Sequence, residues 1–353
     1  MQNISATRNS KLIAIWLLTG VAMIIIQIVL GGITRLTESG LSITEWNPIT
    51  GVLPPLNHNA WMAEFDKYKN TDQFRYIHAD FSLSDFKFIF FWEWFHRLWA
   101  RLLAVVFLIG FIYFLIRRMF SKEMIAPMII LFLLGAMQGL VGWIMVESGL
   151  VPEKMFVGHI QLTTHFIAAL VLLAYTFWFA LKLLIVDSSK IFSRTLKNLT
   201  VFILVIITIQ LIYGGFMSGL KAATAAPTWP DINGSMMPTY INDLTSWSKN
   251  LINNKFMVQF IHRTLAYVLT IVILVWWVKS RKNNSSPLFI KVRALPLLLV
   301  IIQVILGILT LIRSPYGNNL LWLGIAHQFT GMLLLLSIIL MLYIIRSKRS
   351  AEM

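Results

Sequence analysis

The chain has 353 residues, 58% hydrophobic and only 13% charged, where a soluble domain carries roughly a quarter charged residues. It contains no cysteine, which excludes disulfides, thiolate metal sites, thiolate-ligated heme and iron–sulfur clusters held by this chain. The net charge of +15 would suggest nucleic-acid binding in a soluble protein, but mean hydropathy is +0.74 and the placement of the charge has another cause.

A spanning helix needs about 20 mostly apolar residues. Eight runs qualify, at about 12–33, 88–116, 125–146, 157–181, 196–219, 255–278, 294–312 and 320–345. They take up over half the chain, so the expected fold is an all-α polytopic membrane protein without a sizeable soluble domain. The first run is too long for a signal segment and lacks a small-residue cleavage site, so it is kept as a span. No Arg/Ser-rich presequence precedes it, which favours a bacterial cell (inner) membrane over an organelle import route.

With the N-terminus taken as cytoplasmic, Arg8, Lys11, the connections after the second, fourth and sixth spans, and the tail Arg346, Lys348 and Arg349 together carry 17 basic residues. The opposite side carries ten, spread over longer loops that hold most of the acids. This positive-inside bias predicts both termini in the cytoplasm, and the basic balance reports topology, with no nucleic acid as partner.

Along the chain, the first span ends in Gly31-Gly32-Ile33-Thr34-Arg35, and a long external loop follows to about Lys87. Within it, Glu45 to Pro55 reads as a turn-rich segment, and residues from about Asn59 to Arg75 read as a helix lying on the membrane surface. Ser82 or Ser84 is placed to cap the second long helix. That helix carries Glu93, His96 and Arg97, three and four residues apart and therefore on one face. An ionisable residue inside a span marks a functional site by default. Gln138 and Gly142 lie in the third span, and His159 and His165 in the fourth.

A basic linker then divides an N-terminal half, 1–189, from a C-terminal half, 190–353, and the second half replays the first. Gln27-x3-Gly31-Gly32 matches Gln210-x3-Gly214-Gly215, and Glu93-x2-His96-Arg97 matches Gln259-x2-His262-Arg263. Gln138-x3-Gly142 matches Gln303-x3-Gly307, and His165 matches His327. The offsets are 183, 166, 165 and 162 residues. The chain therefore reads as two pseudo-symmetric four-helix bundles of the same orientation.

Four of the seven histidines sit one per even-numbered span, seven to nine residues from its external end. That is roughly 10–14 Å deep at a common level. Each half thus offers two imidazoles on facing helices, where bundles build cofactor sites. Zinc and non-heme iron usually want three or four ligands, and Gln259 breaks the paired Glu-x2-His of a di-iron bundle. Two neutral imidazoles per half suit heme, which needs only axial ligands and an apolar envelope. The glycines read as close helix-packing positions or as room for a flat macrocycle, and Trp92, Trp94 and Trp99 as an interfacial belt. Arg97 forms an i,i+4 pair with Glu93; alternatively Arg97, Arg101 and Arg263 receive propionates. One asymmetry stands out. His-Arg is kept in both halves, while Glu93 becomes Gln259, so the carboxylate places the reaction in the first half and a permanent redox cofactor in the second.

These residues resemble the heme A synthase family over nearly the whole chain. The resemblance rests on Gly31 to Arg35, Ser39-Gly40-Leu41-Ser42-Ile43-Thr44-Glu45-Trp46, Pro48 to Gly51, Pro54-Pro55, Glu93-x2-His96-Arg97, Phe260-Ile261-His262-Arg263 and Ala326-His327-Gln328. It implies oxidation of the C8 methyl group of heme O to a formyl group, giving heme A for cytochrome oxidase. It implies substrate heme at His96 and His165, and heme b at His262 and His327, with Glu93 as the catalytic carboxylate. The absence of cysteine resembles the alphaproteobacterial and mitochondrial branch. The implied partners are a heme O synthase, the oxidase assembly machinery, an electron carrier and membrane lipid, with self-association left open. A di-heme cytochrome serving quinone, or a heme transporter or assembly factor without catalysis, remain the competing readings.

Overall fold

A computed structural model describes residues 8–45, 50–238, 240–317 and 320–347. Trp46, Pro48 and Ile49 of the loop motif, the side chain of Arg8, and Lys348 and Arg349 lie outside the described residues.

The described chain is helical. It forms α1 (Arg8–Leu36), α2 (His58–Lys69), α3 (Asp72–Ile77), α4 (Leu83–Ile116), α5 (Lys122–Glu147), α6 (His159–Leu184), α7 (Arg194–Gly219), α8 (Trp247–Asn253), α9 (Lys255–Ser280), α10 (Pro287–Val292), α11 (Leu295–Arg313) and α12 (Leu320–Ile344). Eight helical segments are long and apolar enough to cross a membrane, with α10 and α11 counted as one. They coincide with the eight expected runs to within a few residues. The protein is an all-α multi-pass membrane protein.

Four helices make the centre. α1 packs on α6 and α12, α7 packs on α6 and α12, and α6 meets α12. The outer helices attach one to each: α4 to α1, α5 to α6, α9 to α7 and α11 to α12. Burial follows this order, since α12 and α6 are the most enclosed, while α4 and α5 turn most of their apolar side chains outward. Indole N–H groups tie outer helices to inner ones: Trp99 donates to Met23 O (2.9 Å) and Trp276 to Thr200 Oγ1 (2.8 Å). Trp99 is thus a helix tether as well as an aromatic near the interface. At the opposite end, Ile191–Phe192 pairs in parallel with Ile345–Arg346, closing the connection between the halves against the end of α12.

The expected surface helix is two helices. Asn70 ends α2 with its N–H on Lys67 O (3.2 Å), and the Thr71 hydroxyl accepts from Phe74 N (3.3 Å) to start α3. An N-cap side chain of this kind sets a new helix start where a continuous one would need helical backbone. The pair does more than rest on lipid. Phe65 and Tyr68 of α2 are buried with Phe86, Ile89 and Phe90 of α4, with Trp61 and Phe74 packed around them. Ser82 caps α4 in a capping box with Asp85.

Candidate functional site

The four membrane histidines share one local construction. On a helix, residues four apart stand on one face, so each Gln-x3-Gly presents an amide above a bare backbone patch. His96 of α4 fills such a patch on α1: a Cβ at Gly31 would lie 3.2 Å from its Cε1, and the Gln27 amide nitrogen lies 3.2 Å from its Nε2. His165 of α6 sits against Gly142 of α5, 3.0 Å from such a Cβ, with Gln138 donating to the His165 carbonyl at 3.4 Å. His262 of α9 sits against Gly214 of α7 at 3.5 Å, with the Gln210 amide nitrogen 3.4 Å from Nε2. His327 of α12 sits against Gly307 of α11 at 3.0 Å, with the Gln303 amide nitrogen 3.3 Å from Nε2 and the Gln303 carbonyl 3.1 Å from Nδ1. The glycines therefore receive imidazole rings. Neither general helix packing nor a macrocycle is needed to explain them.

These seats leave polar atoms unpartnered. Oε1 of Gln27, Gln138, Gln210 and Gln303 is buried without a hydrogen bond, as is Nδ1 of His165 and His262. An unpaired buried polar group costs about 1–3 kcal/mol, so its recurrence at four equivalent places marks sites shaped for a further group. The rings of His262 and His327 meet edge to face, with centroids 6.5 Å apart and planes at 69°. A metal–imidazole bond is about 2.0 Å and a ring nitrogen lies about 1 Å from its ring centre, so two imidazoles on opposite sides of one ion stand roughly 6 Å apart. The pair therefore fits one bis-imidazole iron. His96 and His165 are within electrostatic reach of each other. Among the described residues no set of three or more His, Cys, Asp or Glu comes together as a metal site, while His262 and His327 offer two imidazoles. That is what heme needs.

Glu93 has a different surrounding from the one its catalytic assignment suggests. Its carboxylate is buried, at 3% exposure, and both oxygens are engaged. Oε2 accepts from the Ser42 hydroxyl (2.7 Å) and the Ile43 N–H (2.9 Å), and Oε1 accepts from Arg97 (2.6 Å). Arg97 also donates to the carbonyls of Ile43 (3.1 Å) and Glu45 (3.2 Å). Glu93 and Arg97 thus clasp the start of the loop that follows α1 onto α4. The second half repeats the clasp with an amide. Gln259 donates to Ala226 O (2.9 Å), and Arg263 donates to Ala226 O (3.0 Å) and Asp231 O (2.8 Å). Nε of Arg263 and Oε1 of Gln259 remain buried without partners. Both arginines spend guanidinium donors on loop carbonyls, and Arg263 keeps Nε for another acceptor.

Several residues of the site carry no role in a sequence reading. The four glutamines are visible as a repeat, yet nothing in the repeat says that each meets a histidine of the next helix. Ser42 and Ile43 have no signal that points at Glu93. Trp94 donates to Val52 O (2.9 Å), so it holds the same loop and is more than an interfacial aromatic.

The cytochrome oxidase assembly protein family, COX15-CtaA, matches residues 14–339. The chain is 41% identical over 332 residues to a heme A synthase of Flavobacterium psychrophilum, covering 93% of this chain and 96% of that protein. It is 38% identical to a heme A synthase of Nitrosospira multiformis, covering 92% and 90%. It is likewise 38% identical to one of Novosphingobium aromaticivorans, covering 94% of each. With a match that takes in all four histidine seats, the chain belongs to the COX15-CtaA family of cytochrome oxidase assembly proteins, the family of the heme A synthases.

Proposed function

We propose that this protein is a heme A synthase, an oxidoreductase that converts the C8 methyl group of heme O to a formyl group and supplies heme A to cytochrome oxidase. The observation that carries the reading is the fourfold seating of a histidine ring on a glycine, together with the 6.5 Å spacing of the His262 and His327 rings. His262 and His327 hold a permanent heme b in the C-terminal half, residues 190–353, and His96 and His165 receive the substrate heme in the N-terminal half, residues 1–189. When bound, the irons supply the electron transfers that a methyl oxidation requires.

The chain's own residues supply orientation and charge. Gln27, Gln210 and Gln303 orient the imidazoles and Gln138 holds the His165 backbone; ligand orientation by such outer contacts is worth about 10- to 100-fold in affinity in metal sites. The apolar helices keep water from the macrocycle. Glu93 puts a carboxylate into the first half only. Held by Arg97, Ser42 and Ile43, it is a fixed charge able to stabilise positive charge developing at the methyl carbon, the role that a preorganised site performs best. Arg97 and Arg263 would receive propionates by charge-assisted hydrogen bonds. The protein resides in a bacterial inner membrane, and the 17 basic residues on one side of the spans support cytoplasmic termini. A heme O synthase, the oxidase assembly machinery and an electron carrier are the partners.

Co-expression with a heme O synthase, followed by chromatography of extracted hemes, tests the activity. Heme A is expected, and its absence with heme O present refutes the reading. Purified His262→Ala and His327→Ala proteins should lose heme b absorbance; full absorbance in both would refute the second-half ligation.

A further inference from the structure

The two histidine sites are joined by an unbroken chain of bonds that crosses between the halves. The Gln328 amide, next in sequence to His327, donates to the carbonyl of Ile28 on α1 (2.9 Å). Ile28 follows Gln27, whose amide nitrogen is 3.2 Å from Nε2 of His96 and donates to the His96 carbonyl at 3.2 Å. From His327 to His96 the path therefore runs along the backbone to Gln328, out along its side chain, across a hydrogen bond to the Ile28 carbonyl, back along the backbone to Gln27 and out along that side chain to a second hydrogen bond, with no van der Waals gap. Gly32 makes it fit: a Cβ there would run into the Oε1 and Cδ atoms of Gln328. So the two adjacent glycines of α1 have separate uses, Gly31 for the His96 ring and Gly32 for the Gln328 amide.

The pseudo-symmetric route is not built. With His165 matched to His327, the residue matching Gln328 is Phe166, which has no amide. At Gly215, the counterpart of Gly32, the neighbour is Thr163, whose hydroxyl donates back into its own helix at His159 O (2.8 Å). Among the described residues this leaves one hydrogen-bonded crossing between the histidine sites, and it runs from His327 to His96.

We propose that Gln328 is a positioning residue for electron transfer between the two halves, and that the Gln328–Ile28–Gln27 bridge is the route. The proposal rests on the reading that each histidine pair holds a heme. Electron tunnelling decays more slowly through covalent and hydrogen bonds than through gaps, so a bridge of this composition favours one crossing over others of equal length. With hemes bound, the bridge would pass one electron at a time: the ferrous heme held by His262 and His327 would become ferric, and the ferric heme held by His96 and His165 would become ferrous. No covalent bond forms or breaks, and no proton moves along it.

The test uses the full-length protein carrying heme b in the second half and heme A in the first, whose visible bands are separate. One electron is injected into the fully ferric protein by a flash-activated photoreductant, and the relaxation between the two bands is followed. A phase independent of reductant concentration is the intramolecular transfer. Gln328→Met keeps the length of the side chain and removes the donor; Gly32→Ala displaces the same amide from the other side. Both should slow that phase at least several-fold, with heme b content, band positions and midpoint potentials as in the parent. Thr163→Val, at the mirror contact, should leave it unchanged. Parent-like rates in both bridge variants, or equal slowing in Thr163→Val, would overturn the proposal. If instead His262→Ala and His327→Ala retain heme b, the heme reading itself fails, independently of the bridge.

Discussion

Glu38 and Lys221 stand 183 residues apart, the same offset that relates Gln27 to Gln210, and they form an ion pair with each other. Each follows the external end of its half's first helix, and each adopts the left-handed backbone, with φ of 56° and 52°. Two equivalent positions of the duplication thus meet near the pseudo-twofold axis. Arg35 and Ser218, also 183 apart, make the neighbouring contact, with the guanidinium donating to the Ser218 carbonyl. The joint extends into the external cap, where His78 Nε2 is 3.7 Å from Glu38, Tyr68 is 2.6 Å from His78 Nδ1, and Gln73 donates to the Glu38 carbonyl at 3.1 Å. Lys221 also lies over the Phe156 ring, 3.7 Å from its centre. Because the pair is partly enclosed, removing one partner leaves the other poorly solvated. Glu38→Gln and Lys221→Met should each lower stability by about 1–2 kcal/mol, and the double variant should fall short of their sum by about 1 kcal/mol. Thermal unfolding of the four proteins in one detergent measures this.

The same carboxylate predicts an acid response. The nearby His78 imidazole, then the Lys221 ammonium, hold the Glu38 carboxyl at about 2, below its ordinary 4.5. A group with a depressed folded-state value binds its proton more readily when unfolded. Its contribution is therefore complete above about pH 4.5 and is lost as the pH falls towards about 2. Over that window the unfolding temperature of the parent should drop more steeply than that of Glu38→Gln, and the two curves should converge at the acid end. Parallel curves would show that the joint does not titrate.

How far the molecule is readable from its residues follows from the range of each interaction. The eight spans are legible because membrane burial imposes about 20 apolar residues on each, a local and redundant signal. The duplicated Gln-x3-Gly and His are legible because they recur, although their meeting is not. What escapes is contact with backbone. Any residue supplies a carbonyl or an N–H, so nothing at Ile28 announces Gln328, and nothing at Ile43 announces Glu93. The break at Asn70 and Thr71 escapes for another reason: apolar spacing continues through it, and only the Thr71 cap divides α2 from α3.

The ring seats predict a graded response to one added methyl group. At Gly307 the new carbon would stand 3.0 Å from His327 Cε1, closer than a relaxed contact, and at Gly214 it would stand 3.5 Å from His262 Cε1, in ordinary contact. Overpacking of this kind costs about 1–3 kcal/mol when the neighbour cannot move, and a ring held by Gln303 at both nitrogens cannot move freely. Gly307→Ala should therefore lose heme b or shift its absorbance, while Gly214→Ala should keep both. In the first half, Gly142→Ala, at 3.0 Å from His165, should impair substrate heme binding more than Gly31→Ala, at 3.2 Å from His96. Absorbance titrations of the purified variants read both comparisons.

The clasp made by Glu93 and the electrostatic role proposed for it can be separated by mutation, because its two oxygens face different partners. The clasp duty is shared with Ser42, whose hydroxyl donates to Oε2 at 2.7 Å, and with Arg97, which donates to Oε1 at 2.6 Å. Glu93→Gln keeps the shape and one acceptor but turns an NH2 group towards Arg97 or towards the Ser42–Ile43 pair, and it removes the charge. Ser42→Ala removes one clasp bond, worth about 1 kcal/mol to about 3 kcal/mol for a charged acceptor, and leaves the carboxylate in place. If the charge serves the chemistry, Glu93→Gln should cut heme A formation about 100- to 1,000-fold, the range set by a single electrostatic catalytic contact of about 2.7–4 kcal/mol, while heme b content stays at the parent level. Ser42→Ala should lower stability and leave most of the product. Equal loss of product in the two variants would make Glu93 a loop anchor, the use to which Gln259 is put in the other half by its bond to Ala226 O. Heme A extracted per heme b, compared across the parent and both variants, distinguishes the outcomes.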